Sequence, residues 1–532
     1  MPKINLFKYF YIAVITITSF SIVYYSGNRG VFPIDTFTFF ESGYLVLNDY
    51  HPIKDFWIIS GITGDYIQAF LFKLFGVSWN IYLLHSALIN SISAIVLFIF
   101  FYKYKLGLLE SFFFSITFAV LNYPVSGTPF TYLESYNFSL ISLLIFFLGI
   151  ITKKNIYFFF LPLLMFVSFL SMQLPAGLIN VIIIFGFFFN FFFLNKNTQA
   201  IKYFFLGFFI VTLLFYFYLY LIEISINDFL LQYILFPISV GSERIVSTNS
   251  AFESAKLLNK INFKNLFLDF KFIHFFLIPI FIILCLDFRK KETNFFKKNF
   301  IQIIIILASI SFIFHQLITA NQIFIFSLIS ILAGFLYAKS DFFPKKFFIF
   351  KNVIIFLVLF STLKFHERFN IDRQFMEFKG ININQDSENA SQIDNRFDSL
   401  KWINSYYNNS PQEEIDYLNE TKKLIIETKL EKMIVSHYQF FSIFTGEDLN
   451  VPNRWYFPNN TFPATIDNKY YSDYLNFIKK KILKKKIKVI FIVMEKPNKI
   501  ASIYTNFFEK ECVERDDVNK ITIKLLIKNC KI

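Results

Sequence analysis

The chain has 532 residues, of which 55% are hydrophobic and 17% are charged, and 80 of them are phenylalanine. One soluble core cannot bury so much apolar surface, so the composition excludes an ordinary soluble protein and predicts a polytopic membrane protein. The net charge of +14 comes with short basic clusters between apolar runs. Such clusters are typical of cytoplasmic loops, so the charge does not indicate a nucleic-acid partner.

Apolar runs of membrane-helix length, about eleven in number, occupy residues 1–363. Basic pairs such as Lys103 with Lys105, and Lys153 with Lys154, fall in alternate loops between these runs. Because Lys and Arg are enriched in cytoplasmic loops, the pattern predicts a multi-pass protein of the plasma (inner) membrane. The amino terminus is then cytoplasmic, and the carboxyl-terminal region is periplasmic or extracellular.

The first external loop, residues 28–78, carries five carboxylates: Asp35, Glu41, Asp49, Asp55 and Asp65. A carboxylate beside lipid is costly, so acids clustered at a membrane surface indicate a working site. Residues 36–47 and 64–76 are predicted to form short helices along that surface. Glu41 and Asp49 are predicted to be solvated, and Asp65 is predicted to cap the second of these helices.

Residues 364–532 have mixed charge and are predicted to form an external soluble α/β domain, with a helix capped by Ser410 and strands near 430–435 and 486–494. Cys512 and Cys530 could form a disulfide in an oxidising compartment, or remain two separate thiols. Trp455 and Tyr456 lie in a polar, aromatic segment that either stacks on a sugar or forms an ordered loop.

Three features of the first loop occur in order: Asp35 just after the first span, a Tyr-His-Pro-x-x-Asp-Phe stretch at 50–56, and a Leu-Phe-Lys-Leu-Phe-Gly run at 71–76. In these features the chain resembles the GT-C superfamily of integral-membrane glycosyltransferases, including the mannosyltransferase and aminoarabinose-transferase branches. The span number and the external carboxyl-terminal domain add to this resemblance, which covers residues 1–365.

This resemblance implies an inverting transferase that moves a sugar from a polyprenyl-phosphate donor to a lipid or saccharide acceptor of the cell envelope. Asp35 would be the catalytic base. A lipid-linked donor agrees with the absence of any dinucleotide fingerprint or Walker sequence. The leaving phosphate requires cations, for which Lys54, Arg244 and Lys271 are candidates on the external side.

Two further acids are candidate donor-binding or acceptor-binding residues. Asp55 could orient Lys54, bind the acceptor or cap the segment that follows it. Glu134 lies in the second external loop, where some GT-C enzymes place an acid. Asp35 and Glu134 together could bind a divalent metal through carboxylate oxygens, although Asp35 is followed by Thr36 rather than by a second acid.

Two other classes of function remain open at this stage. A polymerase or ligase of surface polysaccharide also has many spans and charged external loops. A transporter would more naturally show charges at mid-membrane and internal repeats, and neither is clear in this sequence.

Overall fold

The computed structural model describes residues 6–123, 127–246, 262–291, 293–319, 325–339, 348–405, 407 and 410–528. Within these residues, eight helices are long and apolar enough to cross a membrane, and three shorter apolar helices accompany them. These eleven helices agree with the prediction of about eleven spans from the sequence. The chain is therefore a polytopic helical membrane protein, and its carboxyl-terminal region adds small sheets and helices.

The helices of the membrane half follow one another with short connections. In chain order they are α1 (Leu6–Gly27), α2 (Pro33–Thr36), α3 (Phe40–Leu47), α4 (Ile62–Phe75), α5 (Trp79–Lys103), α6 (Leu108–Asn122), α7 (Thr131–Thr152), α8 (Ile156–Ser171), α9 (Gln173–Phe189), α10 (Thr198–Ile222), α11 (Ile226–Leu230), α12 (Phe236–Val246), α13 (Lys271–Arg289), α14 (Phe295–Thr319), α15 (Leu328–Lys339) and α16 (Phe348–His366). Single π-helical turns extend α9 and α16 and join α11 to α12.

Polar side chains connect the interiors of the membrane helices. The Asn122 amide donates hydrogen bonds to Asn90 Oδ1 at 3.0 Å and to Asn137 Oδ1 at 2.7 Å. These bonds join α6 to α5 and α7. Buried amides without partners are costly in hydrocarbon, so this network fixes how the three helices pack.

The two helices predicted in the first loop are present as α3 and α4, next to the short α2, but only α4 has an exposed apolar face. On α4, Phe70, Leu74 and Phe75 are each more than half exposed, which suits a helix that lies on a membrane surface. The other helix, α3, is buried between α4 and the carboxyl-terminal region.

The carboxyl-terminal region contains a four-stranded sheet, whose strands in spatial order are β4 (Lys432–Ser436), β5 (Val489–Val493), β7 (Thr522–Ile527) and β6 (Val513–Asn519). Strands β4 and β5 are parallel, and the other neighbouring pairs are antiparallel. Both parallel strands are buried along their whole length. The sequence of β5 is apolar throughout, as a strand covered on both faces requires, and β4 has three apolar residues between Lys432 and Ser436. The other strands and helices of this region are β2 (Glu388–Asn389), β3 (Lys401–Asn404), α17 (Ile383–Asp386), α18 (Pro411–Glu427), α19 (Phe441–Thr445), α20 (Tyr471–Lys485) and α21 (Asn498–Thr505).

A second sheet joins this region to the first loop. Strand β1 (Arg29–Val31) pairs in parallel with β3, and β2 pairs with the other edge of β3. Aromatic rings strengthen the contact, since Phe37 lies 5.1 Å from Phe440 and Phe40 lies 5.4 Å from Phe397 between ring centroids. The first loop and the carboxyl-terminal region therefore share one hydrophobic core. A domain boundary between residues 363 and 364 stays a prediction.

The cysteines are only partly described. Cys512 is disulfide-bonded, whereas Cys285 in α13 is a free thiol. Cys530, which the sequence analysis suggested as the partner of Cys512, lies outside the described residues. The pairing of Cys512 with Cys530 therefore stays a prediction.

Candidate functional site

A cavity of about 440 Å³ lies where the first loop, the ends of several membrane helices and the segment 455–461 meet. Its charged lining residues, within the part of the chain that the structure describes, are Asp35 and Arg244. The other lining residues are apolar, aromatic or uncharged and polar: Phe32, Ile34, Ile59, Ser60, Phe130, Thr131, Tyr132, Met172, Thr319, Phe375, Trp455, Phe457, Asn460 and Thr461. We call this space the Asp35 cavity.

Asp35 is held in the first turn of α2, which begins with Pro33 as its first residue. Proline suits this position because its missing N–H would have no partner in the helix. The turn is fixed from both sides, since Phe32 N–H donates to Thr36 Oγ1 at 2.8 Å and Thr38 Oγ1 donates to the Asp35 carbonyl at 2.7 Å. Burial raises the pKa of the Asp35 carboxyl to about 7. Such a group can accept a proton near neutral pH.

Arg244 brings a cation to the same cavity from α12, as the sequence analysis suggested. His315 lies close enough to interact electrostatically with Arg244, and its ring centroid is 5.4 Å from that of Tyr132. His315 lies near the carboxyl-terminal end of α14 and is buried behind the wall of the cavity.

The carboxyl-terminal region contributes an aromatic wall to this cavity. Trp455 is 8% exposed, and its indole Nε1 donates to the Ile34 carbonyl at 3.1 Å, one residue before Asp35. Tyr456 points instead into the core of the carboxyl-terminal region. Of these two aromatic residues, Trp455 lines the Asp35 cavity and Tyr456 does not.

Arg454 connects this wall to the first loop by a buried ion pair. Its guanidinium donates to the Asp65 carboxylate and to the Ser60 carbonyl, and Ser42 Oγ donates to Asp65 Oδ1 at 2.6 Å. Asp65 and Arg454 are both fully enclosed. The prediction that Asp65 caps a helix is therefore wrong, because its carboxylate is used by Arg454 and Ser42.

The helix that carries Asp65 starts without a side-chain cap, at Gly61. Gly61 has a φ of +87°, and a Cβ atom there would collide with the Arg454 guanidinium and with Thr131. Glycine is needed for both reasons. The close approach of Arg454 to the first loop thus depends on this position.

Glu41 is also buried, at 2% exposure, and its Oε1 accepts a hydrogen bond from Ser442 N–H at 2.9 Å. The prediction of a solvated Glu41 is wrong, because the carboxyl-terminal region covers α3. Burial raises the pKa of Glu41 to about 7, and its bonds to Ser442 oppose the rise. Asp49 is exposed, as predicted.

Glu134 lies in the first turn of α7, close to the lining residues Thr131 and Tyr132, but it faces away from the cavity into the protein. Its Oε1 is 3.1 Å from His85 Nε2, and His85 Nδ1 is 3.1 Å from Gln68 Oε1. All three side chains are buried. Asp35 and Glu134 therefore do not line the same space.

The suggestion of a metal held by Asp35 and Glu134 does not fit this geometry. Glu134 is directed at His85, and no group of three or more His, Cys, Asp or Glu side chains within the described ranges could hold a metal ion.

Lys54 and Asp55 line a different cavity, of about 550 Å³, together with residues of α20. Lys54 forms an ion pair with Glu223 at 2.9 Å. The Asp55 carboxylate accepts from His51 N–H at 2.8 Å and so closes the turn that contains Pro52. Lys271 begins α13, and its Nζ lies 5.7 Å from the centroid of the Phe272 ring.

No protein-family model and no curated protein matches the sequence. Among solved structures, the fold is similar to the oligosaccharyltransferase of Archaeoglobus fulgidus, crystallised as a complex with zinc and sulfate. The TM-score is 0.45 at 11% sequence identity, and the alignment covers 93% of this chain and 69% of that chain.

Proposed function

We propose that this chain is a membrane glycosyltransferase of the GT-C type, which moves a sugar from a polyprenyl-phosphate donor to a cell-envelope acceptor on the external face of the plasma membrane. One observation carries the proposal: the cavity at the ends of the membrane helices is lined by both Asp35 and Arg244. A carboxylate able to accept a proton and a cation able to hold a phosphate are the two groups that this reaction requires.

In the proposed reaction, an acceptor hydroxyl oxygen attacks the anomeric carbon of the donor sugar with inversion. The new C–O bond forms as the bond from the anomeric carbon to the phosphate oxygen breaks. The hydroxyl proton passes to Asp35, whose raised pKa matches that task near neutral pH. The polyprenyl phosphate leaves as an anion, which the guanidinium of Arg244 stabilises.

Trp455 supports this assignment, because an aromatic face in a largely apolar cavity is suited to stacking on a sugar ring. The hydrogen bond from its indole to the Ile34 carbonyl links the sugar-binding wall to the backbone next to Asp35. Glu134 then supports the site indirectly, since its contact with His85 fixes the start of α7 behind Thr131 and Tyr132.

The proposal is tested by incubating the purified full-length chain with extracted polyprenyl-phosphate-linked sugars and envelope lipids, and following products by mass spectrometry. We expect one glycosyl unit to appear on an acceptor as polyprenyl phosphate is released. Products that lengthen by many sugar units would identify a polymerase instead. Uptake of an intact solute into proteoliposomes, without any consumption of donor, would identify a transporter.

A further inference from the structure

A second polar cavity, of about 550 Å³, lies apart from the Asp35 cavity and takes no part in the proposed transfer reaction. Five lysines line it: Lys54, Lys480, Lys481, Lys484 and Lys485. Four of them belong to α20, where positions three or four residues apart share one face of the helix. The opposite face of α20 buries Tyr474, Ile478 and Ile482 in the core. We call this space the lysine cavity.

The lysine cavity lies at the end of a membrane span. Its opposite wall includes Glu223, which directly follows α10, and Ile224. Just before that wall, Tyr220 is 81% exposed and Leu221 is 61% exposed, as expected of side chains that contact lipid. The mouth of the cavity is therefore at the level of lipid headgroups.

Three of the lysine ammonium groups make no ion pair with a carboxylate in the described part of the chain. Lys480 and Lys484 are exposed and form no ion pair there. The Lys481 ammonium donates to two backbone carbonyls, of Asp55 at 2.5 Å and of Val451 at 3.0 Å. Burial lowers the pKa of Lys481 to about 8, and the charges of Asp448 and Asp55 oppose this fall.

Most carboxylates that line the lysine cavity already have an ion-pair or hydrogen-bond partner. Glu223 pairs with Lys54, and Lys484 is close enough to interact with it electrostatically. Asp228 accepts from Ser225 Oγ at 2.7 Å, and Asp55 accepts from His51 N–H. Asp448 does not line the cavity, but it forms an ion pair with Lys485 at 3.0 Å. Asp473 is the remaining acid of the lining, and it is exposed.

We propose that the lysine cavity binds the phosphate of an anionic phospholipid headgroup through Lys480, Lys481 and Lys484. Lysines at a membrane surface attract anionic lipids, and the donor groups in this cavity outnumber the carboxylates available to them. The lipid would hold α20, and with it the carboxyl-terminal region, against the membrane beside the first loop. This binding does not depend on the transferase activity.

The test measures lipid binding to the full-length protein in detergent by native mass spectrometry, with added phosphatidylglycerol or phosphatidylcholine. We expect the wild-type protein to retain phosphatidylglycerol preferentially. The double variant Lys480→Gln/Lys484→Gln should bind it roughly tenfold more weakly. The variant Lys496→Gln/Lys499→Gln, with the same loss of charge on exposed residues outside the cavity, should bind it like the wild type.

A charge-preserving variant separates binding from folding. Lys480→Arg/Lys484→Arg should retain phosphatidylglycerol, and all variants should unfold at similar temperatures. Equal phosphatidylglycerol binding by the wild type and the cavity Gln variant would overturn the proposal. Displacement of bound phosphatidylglycerol by millimolar inorganic phosphate would also overturn it, because the site would then be selective for a soluble phosphate.

Discussion

Arg454, from the carboxyl-terminal region, forms a fully buried ion pair with Asp65 of the first loop, although 389 positions separate the two residues in the sequence. Because Arg454 also donates to the Ser60 carbonyl, and Trp455 donates to the Ile34 carbonyl, adjacent residues bind the first loop at two points around the Asp35 cavity. The cavity is therefore a composite of the membrane half and the carboxyl-terminal region.

Breaking this ion pair should destabilise the protein strongly. Asp65→Asn leaves the Arg454 charge buried without its partner, and we expect a loss of about 3–5 kcal/mol in the free energy of unfolding. Urea denaturation in detergent, followed by tryptophan fluorescence, provides the measurement. The apolar double variant Asp65→Leu/Arg454→Met should recover much of this loss.

The matched control for that experiment is an exposed ion pair. Lys520→Gln removes the partner of Glu413 at the surface, where solvent screens the charges and an ion pair contributes little to stability. If Asp65→Asn and Lys520→Gln had equally small effects, the buried pair would not join the two parts of the protein.

Trp455 should contribute to sugar binding more than to folding. In Trp455→Ala both the aromatic face and the hydrogen bond to Ile34 are lost, and we expect KM for the donor to rise roughly tenfold. Trp455→Phe keeps a ring and should show a smaller rise. Steady-state kinetics measures both variants. Tyr456→Phe, which alters an enclosed neighbour, should leave KM unchanged, and an equal effect at Tyr456 would argue against stacking by Trp455.

Arg244 should contribute to the binding of the donor phosphate. Arg244→Gln removes a charge-assisted contact, so we expect the affinity for polyprenyl phosphate to fall by about 10-fold to 100-fold. Arg244→Lys should restore part of it, since the charge returns without the two-pronged geometry. Direct binding measurements on the purified protein test this, with the exposed Arg515→Gln as control. Unaltered affinity in Arg244→Gln would remove Arg244 from the phosphate site.

Asp35 should decrease the stability of the folded protein at neutral and alkaline pH. Its folded-state pKa, about 7, lies above the ordinary value of 3.8, so the folded protein binds this proton more tightly than the unfolded chain does. The stability that the folded protein gains by binding this proton more tightly is therefore lost as pH rises from about 4 to about 7. At pH 8, Asp35→Asn should increase the free energy of unfolding by up to about 4 kcal/mol and so raise the unfolding temperature. At pH 4 it should change the unfolding temperature little.

The control for the pH experiment is Asp49→Asn, which alters an exposed acid of the same loop. Its unfolding temperature should follow that of the wild type at every pH. A stabilisation by Asp35→Asn that is equal at pH 4 and pH 8 would mean that the carboxyl of Asp35 is not perturbed by burial.

The elements of this fold that depend on local pattern could be predicted from the sequence. Apolar runs gave the membrane helices, and the amphipathic stretches gave α3 and α4. The same local reasoning failed for Glu41, which was predicted to be solvated, and for Asp65, which was predicted to cap a helix, because a distant segment of the chain binds each carboxylate. The two partners, Ser442 and Arg454, lie hundreds of residues away in the chain.

The candidate site, too, could be predicted from the sequence only in part. Asp35 and Arg244 were selected from the sequence for their chemistry, and the fold brings them to one cavity. Lys54 and Asp55 were selected on similar grounds, but they line another cavity, since the turn after His51 directs them toward α20. Arg454 was not selected at all, although it directly precedes Trp455. A lone arginine in a polar segment, such as Arg454, does not indicate from the sequence that it will be buried against a distant carboxylate.

The central claim is that Asp35 accepts the proton of the attacking hydroxyl, and the single-turnover rate of sugar transfer tests it most directly. With donor bound at saturation, Asp35→Asn should transfer about 10²-fold to 10⁴-fold more slowly than the wild type, while binding the donor equally well. Asp35→Glu should recover part of the rate. Transfer by Asp35→Asn at a rate close to that of the wild type would contradict the account.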